Sequence, residues 1–175
     1  MRKSRARQIC SGHRGFTLVE ALVVLAIIGV LGAVALPLII NTLPDYRLRA
    51  AARELVIDFK KVKLEAVKRN RTILLEFTPA TPGNPEQGGS YRICVEDSFP
   101  GTCEGNTVLK VVAMPRNIRL VDTEDLPLTF STNVAGYNSR GLPWRNQFGA
   151  VPLQTANGSR LYHIRLQPGG RVFID

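Results

Sequence analysis

At 175 residues, with 45% hydrophobic and 21% charged side chains, the chain has the length of one globular domain plus an appendage and is not of disordered composition. Its formal charge of +9 is unevenly placed: Arg2, Lys3, Arg5, Arg7 and Arg14 fall in the first 15 residues, which hold no acid. Without that block 18 basic side chains face 14 acidic ones, a formal +4, so the high pI does not by itself argue a nucleic-acid-coating protein.

The basic block, residues 1–15, is read as a targeting leader. From Phe16 to Ile40 the only ionisable side chain is Glu20. A helix of that length, at about 1.5 Å per residue, spans the roughly 30 Å hydrocarbon core of a bilayer. The basic flank precedes it, so the positive-inside rule keeps the N-terminus in the cytoplasm and sends the remainder across. Ala33-Val34-Ala35 resembles a secretory cleavage site, but the apolar run before it is longer than a signal peptide's and Leu36, Leu38, Ile39 and Ile40 continue it. An uncleaved or differently cleaved membrane helix over 16–40 is therefore expected.

Residues 41–70 are expected to continue that helix with an outside. Leu48, Ala52, Leu55, Phe59, Val62 and Ala66 recur at steps of three and four. Arg49, Arg53, Asp58, Lys60, Lys61, Lys63 and Glu65 take the other faces. Pro37 and Pro44 stand where a rod would bend, and Asn70, after the basic turn "VKR", is the expected stop. From 71 to 175 the pattern is that of strands: "TILLEF", "YRICV", "VLKVVAM", "IRLV", "LTFS", "AVPLQ", "RLYHIRL" and "RVFI", with hairpin turns at Asn157-Gly158 and Pro168-Gly169-Gly170. One long helix followed only by strands indicates α+β, its amphipathic half packed on an antiparallel sheet or pair of sheets. No internal repeat is evident.

Cys10 lies in the leader, leaving Cys94 and Cys103 with eight residues between them, among them Pro100-Gly101. A disulfide is the preferred reading for an exported domain, and two unpaired buried thiols are the alternative for a cytosolic one. His13 and His163, the only histidines, lack ligand spacing to the cysteines, so no metal or other cofactor is expected.

"RGFTLVEALVVLAIIGVLGAVALP" resembles the N-terminal signature of type IV pilins and of the pseudopilins of type II secretion. The resemblance implies that a prepilin peptidase/N-methyltransferase cuts between Gly15 and Phe16 and methylates the new amine. It also implies that Glu20, fifth residue of the product, and Pro37, its twenty-second, belong to a helix used in filament assembly. Charge supplies a reason for Glu20. Cleavage creates a cation at Phe16, and in a low-dielectric helix bundle the amine of one subunit attracts the carboxylate of the next far more than in water. Burial costs desolvation, so the pair sets register more than net stability. A Glu20 that only snorkels to the interface is the alternative.

"LTFSTNVAGYNSRGLPW" and "GSRLYHIRLQPGGRVFID" resemble the C-terminal region of the GspH/FimT group of minor pilins and pseudopilins. There Gly141 and Pro143 serve a turn, Phe130 and Phe173 are expected in the core, and Arg140 and Arg171 at the surface. Arg140, Arg145, Arg160, Arg165 and Arg171 fall in the last 36 residues, where Asp175 is the only acid. Some FimT-like members take up DNA through a Gly-Arg-x-Arg motif; here the segment reads Gly170-Arg171-Val172-Phe173, without the second arginine. DNA binding by the five arginines is thus the second reading, and phosphate contacts would make it steeply salt-dependent.

No G-x-S-x-G, P-loop or H-E-x-x-H is present, so a structural role and not an enzyme is expected. The implied protein is a single-pass subunit of the bacterial inner membrane with its β domain in the periplasm. Its partners are other pilins or pseudopilins, in a type II secretion pseudopilus or a type IV pilus.

Overall fold

A computed structural model describes residues 16–81, 88–98 and 101–175; the side chains of 34 and 36–41 also lie outside the description. The chain divides at Asn41/Thr42 into two units. One helix, α1 (Leu18–Arg69), passes through that division and through Pro37 and Pro44. It stops where Asn70 takes a left-handed φ of 52°. The Asn70 N–H then donates to Val67 O and the Arg71 N–H to Ala66 O, the paired bonds that close a helix C-terminus. The expected stop at Asn70 is therefore where the helix ends.

Among the described residues eight strands follow: β1 (Ile73–Thr78), β2 (Ser90–Val95), β3 (Thr107–Ala113), β4 (Ile118–Leu120), β5 (Val134–Tyr137), β6 (Gly149–Thr155), β7 (Leu161–Leu166) and β8 (Val172–Ile174). They form two four-stranded sheets, ordered β3-β2-β1-β5 and β4-β6-β7-β8, and every pairing is antiparallel. The second half of α1 and both sheets share one core. Leu48, Ala52, Leu55, Phe59, Val62 and Ala66 are buried against Ile73, Leu75 and Phe77 of β1, Tyr91 of β2, and Val151, Leu153 and Ile164 of β6 and β7. Phe77 stands at its centre, with ring centroids of Phe59, Tyr91 and Phe130 all about 6 Å away. Burial of each such aromatic or leucine stabilises by roughly 1.5–3 kcal/mol. The fold is α+β, an amphipathic helix laid on a pair of antiparallel sheets.

In the β domain three expectations fail. "LTFS" is not a strand: Thr129 instead exchanges two bonds with Ala150, its N–H donating to Ala150 O and its Oγ1 accepting from Ala150 N. The fourth strand of the first sheet is "VAGY", β5, whose Gly136 hides it from a propensity reading. A Cβ there would lie 2.6 Å from Ile73 O, so the close approach of β1 to β5 depends on the missing side chain. Phe130 is buried as expected, but Phe173 is only half-buried and lines an open groove with Phe148, His163 and Arg165.

Candidate functional site

In the N-terminal unit Gly15 lies outside the described residues, as does the side chain of Pro37. Phe16 is 75% exposed. Thr17 caps the helix that starts at Leu18: its Oγ1 accepts the Glu20 N–H at 3.2 Å, and its carbonyl accepts the Ala21 N–H. Thr17-x-x-Glu20 is a capping-box pattern that places the carboxylate in the first turn, where the helix dipole favours negative charge. The capping box is legible in the sequence as Thr17-x-x-Glu20, so Glu20 serves the helix N-terminus as well as offering a counter-ion. Behind the cap Leu18, Val19, Leu22, Val23, Leu25, Ile27, Ile28, Val30 and Leu31 are exposed around the whole helix. A helix apolar on every side has to be covered by lipid or by other helices. Among the described residues no helix is long and apolar enough to cross a membrane; the expected span, 16–40, includes positions 34 and 36–40, whose side chains lie outside the description.

In the C-terminal unit Cys94 on β2 is disulfide-bonded to Cys103, Cα to Cα 5.5 Å. The bridge is buried with Leu74, Val134 and Trp144 in a second, smaller apolar cluster. Gly101 has a φ of 83°, and a Cβ there would come within 3.2 Å of the Trp144 ring. The loop closed by the disulfide is thus wrapped on the tryptophan. Among the described residues no three His, Cys, Asp or Glu side chains gather as metal ligands.

The five C-terminal arginines are not one patch. Arg145 stacks on Trp144, its guanidinium 4.3 Å from the ring centre. Arg160 is ion-paired with Asp45 at 3.3 Å and Arg165 with Asp175 at 3.1 Å. Arg140 and Arg171 are exposed and without an acidic partner among the described residues. Their turns meet at Lys63, a residue absent from the sequence-based site. Lys63 Nζ donates to Gly170 O at 3.5 Å and lies over the Tyr137 ring, and the Tyr137 hydroxyl donates to the same carbonyl at 3.2 Å. On the other side a Cβ at Gly141, φ 72°, would meet Lys63 Cε at 3.3 Å. Gly141 and Pro143 hold the expected turn, with Asn138 Oδ1 accepting the N–H groups of Arg140 and Leu142. Burial pushes the Tyr137 phenol well above its ordinary range.

A second polar constellation was not foreseen. Asp58, expected on an outer helix face, is 1% exposed. Its carboxylate accepts the Tyr91 hydroxyl at 2.7 Å and Lys110 Nζ at 2.6 Å, with Glu54 also reached by Lys110 at 3.3 Å. Burial, then the hydrogen bond and charge of Asp58, raise the Tyr91 phenol far above the usual range. Lys110 is raised as well: burial pulls it down, and the bonds and charges of Asp58 and Glu54 outweigh that. The group fastens β2 and β3 to α1.

Comparison with known proteins agrees with this architecture. The Prokaryotic N-terminal methylation motif matches residues 10–36, and the family "Type II transport protein GspH" matches residues 51–170. Pilin-like protein PilA1 of Thermus thermophilus is 44% identical over 87 residues, and the chain spans about half the length of that relative: 49% of this chain and 50% of the other. The type IV minor pilin FimU of Pseudomonas aeruginosa superposes with a TM-score of 0.50 at 15% identity, over 73% of this chain and 91% of FimU. The minor pseudopilin EpsH from the Type 2 Secretion System of Vibrio cholerae does so with 0.50 at 8% identity, over 74% and 96%. With a methylation motif ahead of a GspH domain and the α+β fold seen in FimU and EpsH, the chain belongs to the GspH family, as a minor pilin or pseudopilin of the GspH/FimT type.

Proposed function

We propose that the chain is a structural subunit of a type II secretion pseudopilus or a type IV pilus, assembled through its apolar N-terminal helix. A prepilin peptidase cuts between Gly15 and Phe16 and methylates the new amine. The subunit waits in the inner membrane with its N-terminus toward the cytoplasm and its β domain in the periplasm. The observation that carries this reading is the helix from Leu18 to Leu31, apolar and exposed on every side, led by a capped first turn that holds one carboxylate. Such a surface is unstable in water and is satisfied first by lipid and then by the same helices of neighbours. In that bundle the Phe16 amine of one subunit meets Glu20 of another and sets the axial register. The Cys94–Cys103 disulfide supports a β domain outside the reducing cytoplasm. The relatives named above come from both machines and do not favour either.

The test is Glu20→Ala in the native host. Processing and membrane insertion are expected to persist while incorporation into sheared or cross-linked filaments falls at least about tenfold, the loss of one charge pair in low dielectric. Unchanged incorporation would contradict the pairing.

A second reading, DNA capture during uptake, draws on one observation: the turns that carry Arg140 and Arg171 meet at Lys63, and none of the three has an acidic partner among the described residues. Under it the protein shifts double-stranded DNA at low salt, and Arg140→Ala with Arg171→Ala removes the shift. No shift at low salt would dismiss this reading.

A further inference from the structure

The second half of α1 buries one stripe in the core and exposes another that nothing covers. Tyr46, Ala50, Ile57 and Leu64 are all exposed, Tyr46 by 74% and Leu64 by 67%. Their spacing of four, seven and seven residues keeps them on one line along the helix, the average 3.5-residue repeat of a seam between two helices. The stripe is about 27 Å long at 1.5 Å per residue.

Its two sides differ in charge. On one side stand Arg49, Arg53, Lys60 and Lys63, none with an acidic partner among the described residues. Arg49 donates to the Tyr162 hydroxyl and Lys63 to Gly170 O; Arg53 and Lys60 are exposed. On the other side lie the acids of this stretch, Glu54, Asp58 and Glu65, and each is already neutralised. Lys110 takes Glu54 and Asp58, Lys61 takes Asp58, and Lys68 and Arg69 take Glu65. What remains for a partner is an apolar line bordered on one side by the exposed cations Arg53 and Lys60, which have no acidic partner among the described residues. A second copy would bring the same cations against them, and like charges along a seam repel.

We propose that the Tyr46–Leu64 stripe docks an acidic amphipathic helix of a different subunit, its leucine-like face on Ile57 and Leu64 and its carboxylates on Arg53 and Lys60. This rests on the filament reading only for the source of that helix; the surface and its chemistry stand on the β-domain unit alone. It makes the contact heterotypic, one basic subunit beside one acidic neighbour.

The experiment uses the full chain in nanodiscs of zwitterionic lipid and two labelled synthetic three-heptad helices. Both carry leucine at the seam positions; one has glutamate and the other lysine at the flanks. The glutamate helix is expected to bind saturably and the lysine helix not at all. The pair Ile57→Ser with Leu64→Ser, and separately Arg53→Glu with Lys60→Glu, should each weaken binding at least about tenfold at unchanged melting temperature, since all four side chains are exposed. Absence of saturable binding overturns the proposal. So does binding that falls with the charge pair but not with the serine pair, the behaviour of a generic polyanion surface. Self-association of the chain abolished by Leu64→Ser would assign the stripe to a second copy and also overturn it. Any of these results beside a native chain that begins at Phe16 removes the docking surface and leaves the filament reading standing.

Discussion

Asp58 is charged, almost fully excluded from solvent, and held by two partners far along the chain, Tyr91 and Lys110. Removing it leaves a buried hydroxyl and an ammonium facing an empty site. Asp58→Ala is therefore expected to lower unfolding free energy in urea by about 2–4 kcal/mol, the lower end reflecting the partial exposure of Lys110. A loss under about 0.5 kcal/mol, the level of a surface substitution, would contradict the lock described here. The tyrosines make a pH prediction. The folded-state phenols of Tyr91 and Tyr137 lie above the ordinary unfolded value near 10, so the fold favours their protonated forms. That contribution is complete below about pH 10 and is lost as pH rises beyond it, because the unfolded chain releases those protons first. Alkaline titration followed at the phenolate absorbance should show these two ionising only together with loss of near-ultraviolet dichroism. Ionisation of all four tyrosines before unfolding would refute their burial. None of this was legible in sequence: the i, i+3/i+4 pattern put Asp58 on an outer face, and its partners arrive 33 and 52 residues later.

At the scale of elements, the core face of α1 was legible because it is periodic. Leu48, Ala52, Leu55, Phe59, Val62 and Ala66 fell on one stripe by spacing alone, and all six are buried. Phe59→Ala removes a buried ring tilted against Phe77 and is expected to cost about 3–5 kcal/mol, enough to leave much of the domain unfolded at growth temperature. Strands with β-branched residues were legible for the same local reason, and the failures show its limit. "LTFS" has the composition of a strand, but the Thr129 hydroxyl, and not a backbone carbonyl, takes the Ala150 N–H. "VAGY" has a glycine at its centre, which a propensity reading counts against a strand, yet only glycine lets β5 approach Ile73. Gly136→Val should consequently prevent soluble expression or lower the melting temperature by several degrees, as overpacking costing about 1–3 kcal/mol does. A normal melting temperature would mean that β1 and β5 can separate.

For the molecule as a whole, the cysteine count made the disulfide readable once the leader was set aside, and the structure adds why it matters: Trp144 and the loop at Gly101 are assembled on it. Cys94→Ser with Cys103→Ser is expected to lower stability by about 2–3 kcal/mol through the freed loop, and to redshift the emission of the single tryptophan as its cluster opens. Unaltered emission with unaltered stability would make the bridge dispensable. The basic C-terminus was legible only as composition. Which arginines stay unpaired, and that Lys63 joins Arg140 and Arg171, depends on where Asp45, Asp175 and Gly170 come to lie. The N-terminal helix carries the role proposed for the protein, and its chemistry requires a free amine four residues before Glu20. Mass spectrometry of the chain extracted from its native membrane tests this most directly: the account predicts a polypeptide that starts at Phe16 and carries one extra methyl group on its amine. A chain that starts at Met1, after Ala35 or at any other residue would contradict it.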